Sequence, residues 1–235
     1  LVGTTDTPVD RPELEPRALP EEVDFLLEHA RRYMETDPQR ADVLSVFAGL
    51  RPLVSDDGAT DTSAISREHA LRVSESGLVT IAGGKWTTYR KMAEDTVDVA
   101  ASVAGLEQRP CVTRELNVQG YHRHAERFGA LARYGSDAGA VEEVQRSRPG
   151  WADPVHPRLD VTPGEVAWFV RFEAARTVDD VLARRTRALL LDARAAREAA
   201  PAVAGLLAEE LRRDGAWAAA QVEAFQAIAD GYVLD

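Results

Sequence analysis

A chain of 235 residues with 45% hydrophobic and 29% charged residues is long enough to bury a core and has the make-up of a soluble globular protein. Its formal net charge of −11 argues against a nucleic-acid partner and against a broad basic face for anionic lipid. A lone cysteine, Cys111, excludes an internal disulfide and fits a reducing compartment, and no run reaches the roughly 18–20 apolar residues of a membrane span.

The chain opens on Leu1-Val2-Gly3 rather than on methionine or a signal peptide, so it is expected to be a piece of a longer protein. Residues 1–7 read as a short strand, and a proline-rich loop (Pro8, Pro12, Pro16, Pro20) leads to a helix over 21–34. Val23, Leu26, Leu27, Ala30 and Met34 form its apolar face, with Glu21 and Glu22 where the helix dipole favours them. Residues 42–48 are β-branched and aromatic enough for a strand. They run into Gly49-Leu50-Arg51-Pro52-Leu53, where Pro52 holds Arg51 extended. A polar loop over 55–63 follows, and its three aspartates lack the spacing of a calcium loop.

A hairpin is predicted from strands 70–74 and 78–82, with Glu75-Ser76-Gly77 at the turn. It delivers the chain to Gly83-Gly84-Lys85-Trp86-Thr87, after which Tyr89, Met92, Ala93, Thr96, Val97, Ala100 and Val103 recur at helical spacing up to Gly105. Glycines between a strand and a helix N-terminus let an anion approach backbone N–H groups that the dipole makes electropositive. Lys85 adds a full charge, and it and Lys91 are the only lysines in the chain. On spacing alone an ordinary strand–turn–helix connection accounts for the same residues.

Beyond Arg109-Pro110 the strand signals fade and the chain reads as all-α. Thr162-Pro163-Gly164-Glu165 is a capping box ahead of Val166, Phe169, Val170 and Phe172. Thr177-Val178-Asp179-Asp180 opens another helix, and two more are expected over 202–213 and 216–229. Trp151, Trp168 and Trp217 are expected in the core. His122 and His124 lack a third ligand at zinc spacing, Cys111 is expected to be inert, and His69 has no evident partner.

The stretch 83–94, Gly-Gly-Lys-Trp-Thr-Thr-Tyr-Arg-Lys-Met-Ala-Glu, resembles the C-terminal signature of FAD-dependent, respiratory glycerol-3-phosphate dehydrogenases. Gly3-Thr4-Thr5-Asp6, Gly49-Leu50-Arg51-Pro52-Leu53, Ser66-Arg67-Glu68-His69 and the run 175–187 resemble further segments of that family in the same order, and Trp151-Ala152 with His156-Pro157-Arg158-Leu159 is similar to a family loop. The family's Gly-x-Gly-x-x-Gly dinucleotide fold is missing. The resemblance therefore implies an α/β plus all-α fold: residues 1–109 as the last part of the FAD-binding and substrate domains, with a mixed sheet and helices, and 110–235 as a helical C-terminal domain.

By the same resemblance the function is oxidation of sn-glycerol 3-phosphate to dihydroxyacetone phosphate, with electrons passed to a quinone. Arg67 and Lys85 are expected on the substrate phosphate, and Arg51 beside the reacting hydroxyl. Gly83, Gly84, Lys85, Trp86 and Thr87 are expected at the flavin. Taken singly, Arg51 or Arg67 is as readily a surface ion-pair partner. The resemblance further implies FAD not held by this chain alone, an N-terminal part of the same enzyme as partner, a homodimer, and a cytoplasmic protein attached peripherally to the membrane; the ligand spacing at His122 and His124 points to no metal. A glycerophosphate oxidase using oxygen, or a helical interaction module without catalytic role, are the competing readings.

Overall fold

The computed structural model describes residues 1–51 and 69–234. Among these, the α-helices and strands run α1 (Pro20–Arg31), β1 (His69–Val73), β2 (Val79–Gly83), α2 (Tyr89–Val103), α3 (Ala138–Arg146), α4 (Pro163–Phe172), α5 (Ala188–Leu191), α6 (Ala193–Leu211) and α7 (Gly215–Ala229). The architecture is thus a small antiparallel sheet with helices, and a larger helical region. Packing divides the chain into two compact units. One holds Leu1–Thr7, Arg11–Gly49 and Gly120–Asp235; the other holds Pro8–Asp10 and Leu50–Gln119.

The helical unit owns the core. Phe169, Phe225, Leu182, Leu189, Leu207, Val141, Val166, Val178, Val181 and Val203 are fully buried, each contributing roughly 1.5–3 kcal/mol of burial. α6 buries Ala193, Ala195, Ala196, Ala199, Ala200 and Ala204, and such small side chains let neighbouring helices approach closely. Its N-cap is Asp192, which accepts from the Ala195 amide at 2.9 Å. The expected start at residue 202 lies just past Pro201. The helix instead runs through that proline, because burial along the alanine face offsets the lost backbone bond.

The predicted capping box forms: the Thr162 hydroxyl accepts from the Glu165 amide at 3.2 Å, and the Glu165 carboxylate accepts from the Thr162 amide at 3.0 Å. What the pattern did not announce is that Glu165 is 1% exposed. A buried carboxylate needs donors on both oxygens, and it has them. One oxygen takes the Thr162 hydroxyl at 3.0 Å; the other takes the Tyr134 hydroxyl at 2.7 Å and the Arg133 guanidinium. Burial and the neighbouring carboxylate push the Tyr134 hydroxyl well above its ordinary pKa, so it stays a donor.

The helix expected after Thr177 forms as a π-helix, Asp180–Arg185. Its wide turn is matched by side chains five apart: Arg184 pairs with Asp179, and Arg185 with Asp180 at 3.5 Å. The Thr186 amide reaches the Val181 carbonyl at 3.0 Å, the same five-residue step. Burial alone would raise the Asp180 carboxyl. The amides of Arg176 and Thr177, the Thr177 side chain and Arg185 together hold it below the usual carboxylate range.

Several expectations are corrected here. Residues 1–7 form no strand, with Leu1 and Val2 exposed, since a strand without a neighbour leaves its ladder groups unpaired. Residues 42–48 are not a strand either; Asp42 ends a 3-10 turn, and the residues after it have no regular structure and are laced into the helical unit. Leu44 O accepts from the Ala193 amide at 3.0 Å, the Val46 amide donates to Tyr232 O at 2.9 Å, and Arg194 donates to Val43 O at 3.1 Å. Those bonds explain why the packing does not divide at residue 109: residues 11–49 belong with the helices that satisfy their backbone. α1 stops short of Met34, which is half exposed, and Phe172 faces solvent rather than the core of α4. Trp151 and Trp168 are buried as expected, while Trp217 packs at the core's edge.

Candidate functional site

The second unit is built around the hairpin. β1 and β2 pair antiparallel with His69 opposite Gly83, Leu71 opposite Ile81 and Val73 opposite Val79. At the turn Gly77 takes φ +83°, and its amide donates to Ser74 O at 2.9 Å. The hairpin lies within one residue of the expected strands.

β2 ends in two glycines with φ of +73° and +84°, the left-handed region that L side chains avoid. Gly84 is constrained further: a Cβ there would fall 2.5 Å from Met92 Sδ and 3.3 Å from His69 Cβ. The glycine lets the chain turn tightly over α2 and beside β1.

Lys85 then caps a 3-10 turn, Trp86–Thr88, that leads into α2. Lys85 O accepts from the Thr88 amide at 3.0 Å and from the Thr88 hydroxyl at 2.9 Å. The amides of Trp86 and Thr87 are the leading N–H groups of this start and have no carbonyl within the helix to reach. Lys85, Trp86 and Thr87 are all exposed, and the Trp86 ring stacks on Tyr89 at 5.4 Å between centroids. α2 closes as expected at Gly105, in a Schellman arrangement: Leu106 N donates to Ala101 O at 2.9 Å and Gly105 N to Ser102 O at 3.2 Å.

The two lysines have different lives. Lys91 is bound to Asp95 at 2.6 Å and lies 3.6 Å from Glu94; hydrogen bonding to Asp95 raises its pKa despite some desolvation. Among the described residues the Lys85 ammonium has no carboxylate partner. It is the lysine left to meet a ligand.

Gly83 and Gly84, half-buried, thus lead directly into the exposed Lys85, Trp86 and Thr87. Arg51 is exposed within the same unit, and Arg67 lies outside the described residues, as do Pro52 and Leu53. His69, expected without a partner, has one: its Nε2 lies 3.1 Å from Asp95 Oδ2, on the carboxylate that also holds Lys91. Composition gave no sign of this contact. The signal was the hairpin register, which sets residue 69 against the Gly-Gly turn, together with an acidic residue six places into α2. Exposed Cys111 sits 3.1 Å from the Thr113 hydroxyl. No described helix is long and apolar enough to cross a membrane.

Chemically, the stretch offers outward amides, a helix dipole and one unpaired ammonium. That combination binds the electron-rich edge of a ring or an anion.

Comparison with known proteins gives the context. The family profile for the C-terminal domain of alpha-glycerophosphate oxidase matches residues 78–218. A protein named probable glycerol-3-phosphate dehydrogenase, mitochondrial, from Caenorhabditis elegans is 36% identical over 246 residues, covering 95% of this chain and 34% of its own length. The human glycerol-3-phosphate dehydrogenase, mitochondrial, is 38% identical over 236 residues, covering 91% and 32%. The crystal structure of the glycerol-3-phosphate dehydrogenase from Bacillus halodurans complexed with FAD superposes with a TM-score of 0.77 at 28% identity, over 98% of this chain and 49% of that one. The chain thus spans about a third of the length of these two sequence relatives.

Proposed function

The chain belongs to the family of the C-terminal domain of alpha-glycerophosphate oxidase, and from that premise we propose that it supplies part of the site at which an FAD enzyme oxidises sn-glycerol 3-phosphate to dihydroxyacetone phosphate. The observation that carries the reading is the turn Gly83-Gly84-Lys85-Trp86-Thr87, inside the matched region, with an unpartnered ammonium beside a helix start. Two positive-φ glycines and outward amides fit the electron-rich pyrimidine edge of a flavin, and Lys85 fits a phosphate within reach of it.

FAD, when bound, supplies the hydride acceptor. The chain's residues do the rest of the work assigned here. The amides of Trp86 and Thr87 hold the cofactor edge, and the dipole of the following helix favours negative charge on it by up to about 2 kcal/mol. Arg67 and Lys85 grip the substrate phosphate, and Arg51 steadies charge developing on the alcohol oxygen as the hydride leaves. The remainder of the flavin site comes from an N-terminal part of the same enzyme, which functions as a homodimer attached to the cytoplasmic face of a membrane and passes electrons to a quinone. The sequence relatives named above are dehydrogenases, which favours that acceptor over oxygen; oxygen uptake without added quinone would reverse the choice.

The test is Lys85→Met in the FAD-loaded enzyme. Losing a charge-assisted hydrogen bond of roughly 1.5–3 kcal/mol should raise KM for glycerol 3-phosphate by about 10- to 100-fold. An unchanged KM removes Lys85 from the phosphate, and an enzyme that neither binds FAD nor oxidises glycerol 3-phosphate removes the whole reading.

A further inference from the structure

We infer that His69 and Asp95 are positioning residues for the Gly83–Thr87 stretch, a role that rests on the site proposed above. Three observations meet at this point. His69 pairs with Gly83 in the hairpin, so its backbone is fixed to the residue that starts the turn. Its imidazole Nε2 lies 3.1 Å from Asp95 Oδ2, one and a half turns into α2, and both side chains are about three-quarters buried. Between these links, Gly84 sits against Met92 Sδ and His69 Cβ so closely that a methyl group would make Met92 shift.

The result is a closed triangle of strand, turn and helix. β1 reaches the turn through its backbone and α2 through a side chain, while Met92 fills the middle. Without the His69–Asp95 link, no described side-chain hydrogen bond ties β1 to α2, and the turn between the sheet and α2 begins with glycines, whose backbone freedom is the largest of any residue. Lys91 secures the other oxygen of Asp95 at 2.6 Å, which fixes the carboxylate for His69. Neither His69 nor Asp95 is assigned a contact with substrate or cofactor. They act by holding the amides of Trp86 and Thr87 where the flavin edge meets them.

His69→Ala and His69→Gln, the latter keeping a donor for Asp95, distinguish positioning from bulk stability. Amide hydrogen exchange of the segment 83–88 should quicken by at least about threefold in His69→Ala while the helical unit is unchanged. In the FAD-loaded enzyme, affinity for FAD and kcat should fall on the order of 10-fold with KM for glycerol 3-phosphate nearly constant, since small misplacements of this kind are costly. His69→Gln should restore both. Exchange and FAD affinity that match the parent overturn the inference, as does lost FAD affinity with unchanged exchange, which would mean direct contact. If the parent enzyme binds no FAD while exchange still quickens in His69→Ala, the clasp stands and the proposed function falls.

Discussion

α4 and α2 are both helices that carry apolar residues, yet they live differently. α4 buries seven of its ten residues, including Phe169 and Val166. α2 buries none of its fifteen: Tyr89 is 53% exposed, Val97 64% and Val103 47%. The helical unit is held by apolar volume. The hairpin unit is held by backbone geometry at two glycines, a Schellman close and a ladder of ion pairs, of which Arg90–Glu94 and Lys91–Asp95 are each 2.6 Å. Ion pairs of this exposure contribute little, so the second unit is expected to open more readily than the first. A ligand-binding element is drawn from just that end of the stability range.

The sharpest way to break this contrast is Phe169→Ala, which should cost about 3–5 kcal/mol and lower Tm by roughly 10 °C in a thermal melt. A drop of only a degree or two would mean that the helical unit has no single core. Next in size is Gly84→Ala. With φ at +84° and Met92 Sδ in the way, it should cost about 1–3 kcal/mol, read as faster exchange confined to the hairpin unit; an effect spread equally over α6 and α7 would contradict the division. Smallest is Val97→Ala on the exposed face of α2. Chemical denaturation of the chain by itself should move by less than about 0.5 kcal/mol. A cost beyond 1 kcal/mol would show that something covers that face.

Much of this was readable beforehand, for identifiable reasons. The hairpin followed from the apolar run at 78–82 and from Glu75-Ser76-Gly77; the end of α2 from Gly105; the start of α4 from Thr162 and Glu165. Each is a local signal in which a few adjacent residues settle the backbone. The errors are where the outcome depends on distant partners. Residues 42–48 have the composition of a strand, but Tyr232, Ala193 and Arg194 claim their backbone groups. The burial of Glu165 depends on Arg133 and Tyr134, some thirty residues away, and neither lies in a pattern that marks it. For the candidate site, the Gly-Gly-Lys stretch was legible from its residue types. The link from His69 to Asp95 needed the register of a hairpin and the phase of a helix at once.

The wide turn at Asp180–Arg185 has a bearing on how this segment can change. An extra residue in one turn shifts the angular phase of all that follows by about 100° relative to a regular helix. Here the wide turn ends at Arg185, and Arg187, in the left-handed region, breaks the coil before Ala188 and Leu189, which are buried at 3% and 1% exposure. Removing one residue would regularise the coil yet carry Arg184 and Arg185 off their aspartates and shorten the connection that leads to buried Ala188 and Leu189. Length in this segment is therefore as tightly prescribed as chemistry, and tolerated variation should be substitution rather than insertion or deletion.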